Sequence, residues 1–163
     1  MEGVYLAVRH SFNHADTIIA YAVVIEWDDT AAVLSFVTRD DFTGPALQQG
    51  RVSFSTRTGH SYLLTNDFGR FELTVLGRPI EDGRLLGLCT TAFMHQRRPT
   101  PASSAIALMP VSLHVEDLPT CGPVNVGGAA FADYSEWLRS AERDGFARVV
   151  GSSLPQLLNS AGN

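Results

Sequence analysis

The densest cluster of chemically capable side chains is Arg9-His10-Ser11-Phe12-Asn13-His14-Ala15-Asp16. Two histidines four residues apart share one face of a helix, a spacing that metal sites use. Here they follow an alternating stretch, and a strand running into a loop scatters two imidazoles. No metal is expected. His10 should pack beside the core, while Asn13 and Asp16 carry the short polar groups that bond turn backbone. The functional alternative is a polar ligand contact by Arg9, His10, Asn13 and His14. The catalytic alternative is proton transfer by His10, His14 and Asp16.

Other candidates are thinner. His95-Gln96-Arg97-Arg98 offers adjacent guanidiniums that clamp carboxylate or phosphate in other proteins. Pro99 and Pro101 beside them suggest a solvated loop over His95 to Ala102 instead. No G-x-S-x-G elbow is present, and Ser61 beside His60 points to the opposite face of a strand. The acid pairs Asp28-Asp29, Asp40-Asp41, Glu81-Asp82 and Glu116-Asp117 all fall at turn signals, where turn chemistry accounts for them. Gly127-Gly128 lacks the lysine and spacing of a phosphate loop. No cofactor is implied. The aromatics Tyr5, Tyr21, Trp27, Phe36, Phe54, Tyr62 and Phe93 fall on several different segments. In a closed sheet some must share an interior, as core or as pocket lining. A buried Tyr5 or Tyr21 hydroxyl would need a partner, and a ligand is one.

The elements that must position these residues read mainly as strands. Val4 to Phe12 alternates, with Val4, Leu6, Val8, His10 and Phe12 on one face and Tyr5, Ala7, Arg9 and Ser11 on the other. Thr17 to Trp27 is apolar on both faces, turns at Asp28-Asp29-Thr30 and returns through Ala32 to Val37. A loop is expected over Thr38 to Gly50. Strands follow over Arg51 to Thr56, Ser61 to Thr65 and Arg70 to Leu76, with a turn at Asn66 to Gly69. Asp82-Gly83 signals a tight turn before Arg84 to Met94. A last strand runs over Ser104 to Val115. Asp117 to Gly128, with two prolines and three glycines, reads as a connector. Ala129 to Arg143 is the one clear helix, with Phe131, Tyr134, Leu138 and Ala141 on its apolar side and Gly145 as its stop. Ser153-Leu154-Pro155 would open a short final helix, and Ser160 to Asn163 would be mobile.

Composition narrows the function classes. The chain has 163 residues, 45% hydrophobic and only 18% charged, so elements buried on more than one face are expected. All twelve basic residues are arginine, and the formal net charge is -5, which excludes sequence-independent nucleic-acid binding through a basic face. Cys89 and Cys121 lack metal-ligand spacing and read as reduced thiols. No signal peptide is recognisable. The apolar run from Ile18 to Ile25 is too short to span a bilayer. A cytoplasmic protein without membrane association is expected.

Gly3-Val4-Tyr5-Leu6, followed by Arg9-His10-Ser11-Phe12-Asn13 and an apolar strand, resembles the opening of a bacterial domain. That domain follows the helix-turn-helix of Xre-type transcriptional regulators as an effector or sensory half. Leu86-Gly87-Leu88-Cys89-Thr90-Thr91 and Pro101-Ala102-Ser103-Ser104-Ala105-Ile106-Ala107-Leu108 are similar to its closing strands. The resemblance covers about residues 3 to 115 and implies a sensory role. It departs from the pattern in having no DNA-binding helix pair before Gly3.

Together these readings give a mainly β fold of about eight antiparallel strands, closed as a barrel or folded as a sandwich. A calycin-like meander is favoured, because closure removes exposed edges. Residues 1–116 would form it, with 117–163 as a connector and amphipathic helix packed on it. The expected function is a regulatory or sensory domain binding a small molecule or protein partner, assembled as a homodimer. Its ligand would meet Tyr5, Arg9, His10, Asn13, His14, Tyr21, Phe54 and Tyr62. The alternatives are a barrel-pocket enzyme and an assembly module acting through the C-terminal helix.

Overall fold

The computed structural model describes residues 1–67, 70–113 and 118–148. Eight strands run in sequence order around a closed meander: β1 (Gly3–His10), β2 (Thr17–Asp28), β3 (Val33–Arg39), β4 (Ala46–Phe54), β5 (Ser61–Asp67), β6 (Arg70–Leu76), β7 (Leu85–His95) and β8 (Arg98–Pro110). Each pairs antiparallel with the next, and β8 closes on β1 with Arg9 opposite Ile106 and Tyr5 opposite Pro110. Among the described residues the fold is therefore a closed eight-stranded barrel with one outer strand, β9 (Gly122–Asn125), and one helix, α1 (Phe131–Arg143).

β2 is longer than any one neighbour and changes partner along its length. Thr17 to Ala20 pairs with β9, and Ala22 to Asp28 pairs with β3. Tyr21 falls between the two and pairs only with Ala7 of β1.

The two-residue period of β1 separates two cores. Tyr5 and Ala7 point inward, with Val23, Ile25, Phe36, Leu63, Leu76 and Leu108 among their neighbours. Leu6 and Val8 point outward, yet are fully buried under α1 and β9, among Tyr134, Leu138, Ala141 and Val124. The low charge of the chain has its cause here, since β1, β2 and β8 are buried on both faces. α1 spends its apolar side on its own barrel, while Glu136 pairs with Arg139 at 3.2 Å and Arg143 at 2.9 Å on the wet side. Gly145, at φ +80°, ends the helix as expected.

Several boundaries differ from the sequence reading. His95 to Ala102 is not a loop: β7 and β8 extend as a hairpin turning at Gln96 and Arg97, both at positive φ (+47° and +63°). Positive φ at both central residues is the hairpin turn that matches strand twist. Pro99 and Pro101 are tolerated because this half of β8 pairs with β7 alone, so no ladder to a second neighbour is interrupted. β8 therefore begins at Arg98 rather than Ser104 and ends at Pro110, and the close of the expected strand at Val115 lies outside the described residues. The loop expected over Thr38 to Gly50 shrinks to residues 40–45, because β3 and β4 extend towards each other past an irregularity at Thr38/Arg39. The connector contributes β9, which takes the free edge of β2. The final helix at Ser153-Leu154-Pro155, the tail from Ser160 to Asn163 and the centre of the Asn66 to Gly69 turn lie outside the described residues.

Candidate functional site

One end of the barrel is filled and the other is open. Towards the filled end, Tyr5, Val23, Ile25, Phe36, Leu85 and Leu108 close the interior, and the Tyr5 hydroxyl donates to the Met1 carbonyl at 2.8 Å. Further along, inward positions become polar: Thr38, Thr65, Thr74 and Ser104 are buried, joined by Arg9, Tyr21, Glu72 and Cys89. Above this polar layer lies a cavity of ≈ 520 Å³, within the range of small-molecule sites. Its walls come from β1 and the loop after it (Arg9, Ser11, Phe12, Asn13, His14), from Ile19, Gln48 and Glu72, and from Thr91 to Met94 of β7. A second recess of ≈ 360 Å³ shares Arg9, Ile19, Gln48 and Glu72 and extends to Tyr21, Asp40, Leu47, Gly122 and Pro123. It opens where β2 exchanges β9 for β3.

Arg9 sits where the two recesses meet. Its Nη1 donates to the His10 carbonyl at 3.0 Å, and its Cζ lies 4.6 Å from the centroid of the Phe12 ring. Its Nε is buried without a hydrogen-bond partner. A buried unpaired donor carries a desolvation penalty. Phe12 stacks on Phe93 at 5.7 Å, and His95 tilts against Phe93 at 5.9 Å, so an aromatic rim braces the guanidinium.

Glu72 faces the same space from β6. Burial raises its carboxyl above the usual glutamate range, opposed by the Arg9 charge and by a hydrogen bond with Cys89. Among the described residues no ion pair joins Arg9 to Glu72. They act on each other across a gap. Burial raises the Tyr21 hydroxyl well above its ordinary value, with Glu72 adding to the effect and Arg9 opposing it. Burial also pushes the Cys89 thiol up to about 12, so it is no nucleophile at neutral pH.

Of the eight residues proposed from sequence, Arg9, Asn13 and His14 line the larger recess and Tyr21 the smaller. His10 is exposed on the opposite face of β1, and its backbone N–H donates to Ser104 Oγ at 3.1 Å. Tyr5 lies at the filled end, with its hydroxyl already bonded. Phe54 is 61% exposed at the end of β4, and Tyr62 stands on the outward positions of β5, between inward Ser61 and Leu63. Neither lines the cavity. The loop after β1 is tied by Ser11, not by Asn13 and Asp16: Ser11 Oγ accepts from the Asn13 and His14 N–H groups at 3.3 and 3.2 Å. Of the proton-transfer set His10, His14 and Asp16, only His14 reaches the cavity. Among the described residues no group of three or more His, Cys, Asp and Glu side chains could hold a metal ion. No described helix is long and apolar enough to cross a membrane.

Glu72 and Ile19 were not among the sequence candidates, whereas Phe93 was one of the aromatics weighed as pocket lining. Glu72 shares its parity with Thr74 and Leu76, which was a usable signal. It was masked because Phe71, Leu73 and Val75, the greasier set, occupy the other face and point outward.

The fold and its open end define a closed antiparallel barrel with a recess floored by polar groups. No protein-family model matches the chain, and neither a curated protein nor a solved structure matches it.

Proposed function

We propose that this chain is a small-molecule-binding barrel with a sensory or regulatory role, its ligand seated in the open end against Arg9, Phe12, His14, Ile19 and Phe93. One observation carries the reading: an inward arginine with a buried, unpartnered Nε lines a recess of ≈ 520 Å³ that the core does not fill. Barrels of eight strands that serve only as scaffold fill their interior with side chains. Here the interior is packed at one end alone. The resemblance of residues 3 to 115 to effector domains favours a sensory output, and the failure of His10 and Asp16 to join His14 leaves the catalytic alternative without its groups. A cytoplasmic location belongs to the same reading and is supported by two cysteines that form no disulfide.

The test is a fluorescence titration with N-phenyl-1-naphthylamine, a neutral probe that brightens in apolar surroundings. Wild type should bind it saturably, and Ile19→Trp, which places an indole in the recess, should remove that binding while leaving the melting temperature near wild type. Saturable binding that Ile19→Trp leaves intact would place the probe elsewhere and defeat the reading, as would no binding at all.

The homodimer is part of the same proposal. The outer faces of β5 and β6 lack the helix and carry Leu64 and Leu73 directly opposite one another, 50% and 38% exposed, with Phe71 at 59%. Sedimentation should show association that Leu64→Glu abolishes. A wild-type monomer at all concentrations would remove the dimer and leave the cavity reading intact.

A further inference from the structure

Resting on the cavity reading above, we infer that the natural ligand is an organic monoanion, a carboxylate on an apolar body, with Arg9 as its anion receptor. Arg9 stands at the junction of the two recesses beside the Tyr21 hydroxyl, and among the described residues no carboxylate forms an ion pair with it. A guanidinium matches a carboxylate in shape and charge. The aromatic rim holds it in place: Phe12 lies under its face and Phe93 stacks behind Phe12, so the fork is oriented before a ligand arrives.

The surroundings restrict the charge of the guest. Glu72 faces both recesses and Asp40 the smaller one. These carboxyl groups oppose any anion and a phosphate dianion more than a monoanion, so the guest's charge should be single and held at the guanidinium. Burial raises the Glu72 carboxyl above the usual glutamate range, with the Arg9 charge opposing the rise. No ion pair between Arg9 and Glu72 closes the gap, so a ligand group can sit between them. Ile19, Phe12 and Phe93 then meet the remainder of the molecule, which requires an apolar body.

The experiment varies the ligand before it varies the protein. Bound N-phenyl-1-naphthylamine is displaced from wild type by 1-naphthoate or by 1-naphthalenemethanol, which share a ring system and differ in the anion. Naphthoate should compete at least about tenfold better, the effect of one charge-assisted hydrogen bond in a desolvated site. Arg9→Met should erase that preference while still binding the neutral probe, and Arg9→Lys should retain part of it. Equal competition by the two compounds in wild type overturns the inference, as does a preference that survives in Arg9→Met. Should the neutral probe itself fail to bind wild type, the cavity reading falls first. If Arg9→Met does not fold, the wild-type comparison decides the matter alone.

Discussion

Arg9→Met also asks whether the inward guanidinium serves the barrel or the site, because a structural arginine and a receptor arginine differ in what their loss costs. The native side chain donates one charged hydrogen bond to the His10 carbonyl at 3.0 Å, a contribution of about 1.5 to 3 kcal/mol. Its contact with Phe12 at 4.6 Å adds about 0.5 to 2 kcal/mol. Against these stands the buried Nε without a partner, whose desolvation costs about 1 to 3 kcal/mol. Methionine restores most of the stem packing and leaves no orphaned donor. The balance is a destabilisation of about 1 to 2 kcal/mol. For a chain of this length that lowers Tm by about 2 to 8 °C. Urea unfolding followed by far-UV circular dichroism, with a thermal melt beside it, measures both. A loss above about 4 kcal/mol would refute the reasoning, since it would make Arg9 a keystone of the barrel.

Three further outcomes follow from the same geometry. Glu72 in the folded chain keeps its proton to higher pH than in the unfolded chain, so wild-type stability falls as pH rises from the ordinary glutamate value. Glu72→Gln lacks this loss and should gain on wild type as pH rises above the ordinary glutamate value, read from urea midpoints; a constant difference would contradict the burial argument. Leu138→Ala empties a site only 1% exposed beneath the outer faces of the barrel, and should cost about 2 to 5 kcal/mol. Binding of N-phenyl-1-naphthylamine by the folded fraction should be unchanged, because the helix does not touch the cavity. Gly87→Ala sets a Cβ 1.9 Å from the Val75 carbonyl oxygen. Backbone must move to admit it, and a loss of at least about 3 kcal/mol is expected; a near-neutral melt would show that β6 and β7 can part there.

β9 was hidden in a segment that reads as a connector, but the eight barrel strands, their all-antiparallel order, the turn at Asp82-Gly83 and the helix with its glycine stop were legible in the sequence. These are local properties, carried by a period of two, a period of 3.6 and turn residues that need few neighbours. The candidate site was legible in part. Arg9, Asn13, His14 and Tyr21 reach the two recesses, and the segment from Arg9 to Asp16 does form a wall. The period of two already set His10 on the face opposite Arg9; it was a ligand candidate through its place in the polar run, and it lines neither recess.

What the chain determined by itself was which residues share a face: Tyr5 with Ala7 and Arg9, Leu6 with Val8, Glu72 with Thr74 and Leu76. Which face turns inward was decided only by tertiary structure. Hydrophobicity cannot separate inside from outside when α1 and β9 bury the outer surface of β1 and β2 as deeply as the barrel buries the inner one. On β6 the greasy positions Phe71 and Leu73 end in solvent while Glu72 enters the cavity. The cause is closure: pairing β8 with β1 fixes every strand's parity at once, through contacts about a hundred residues apart that no local pattern encodes.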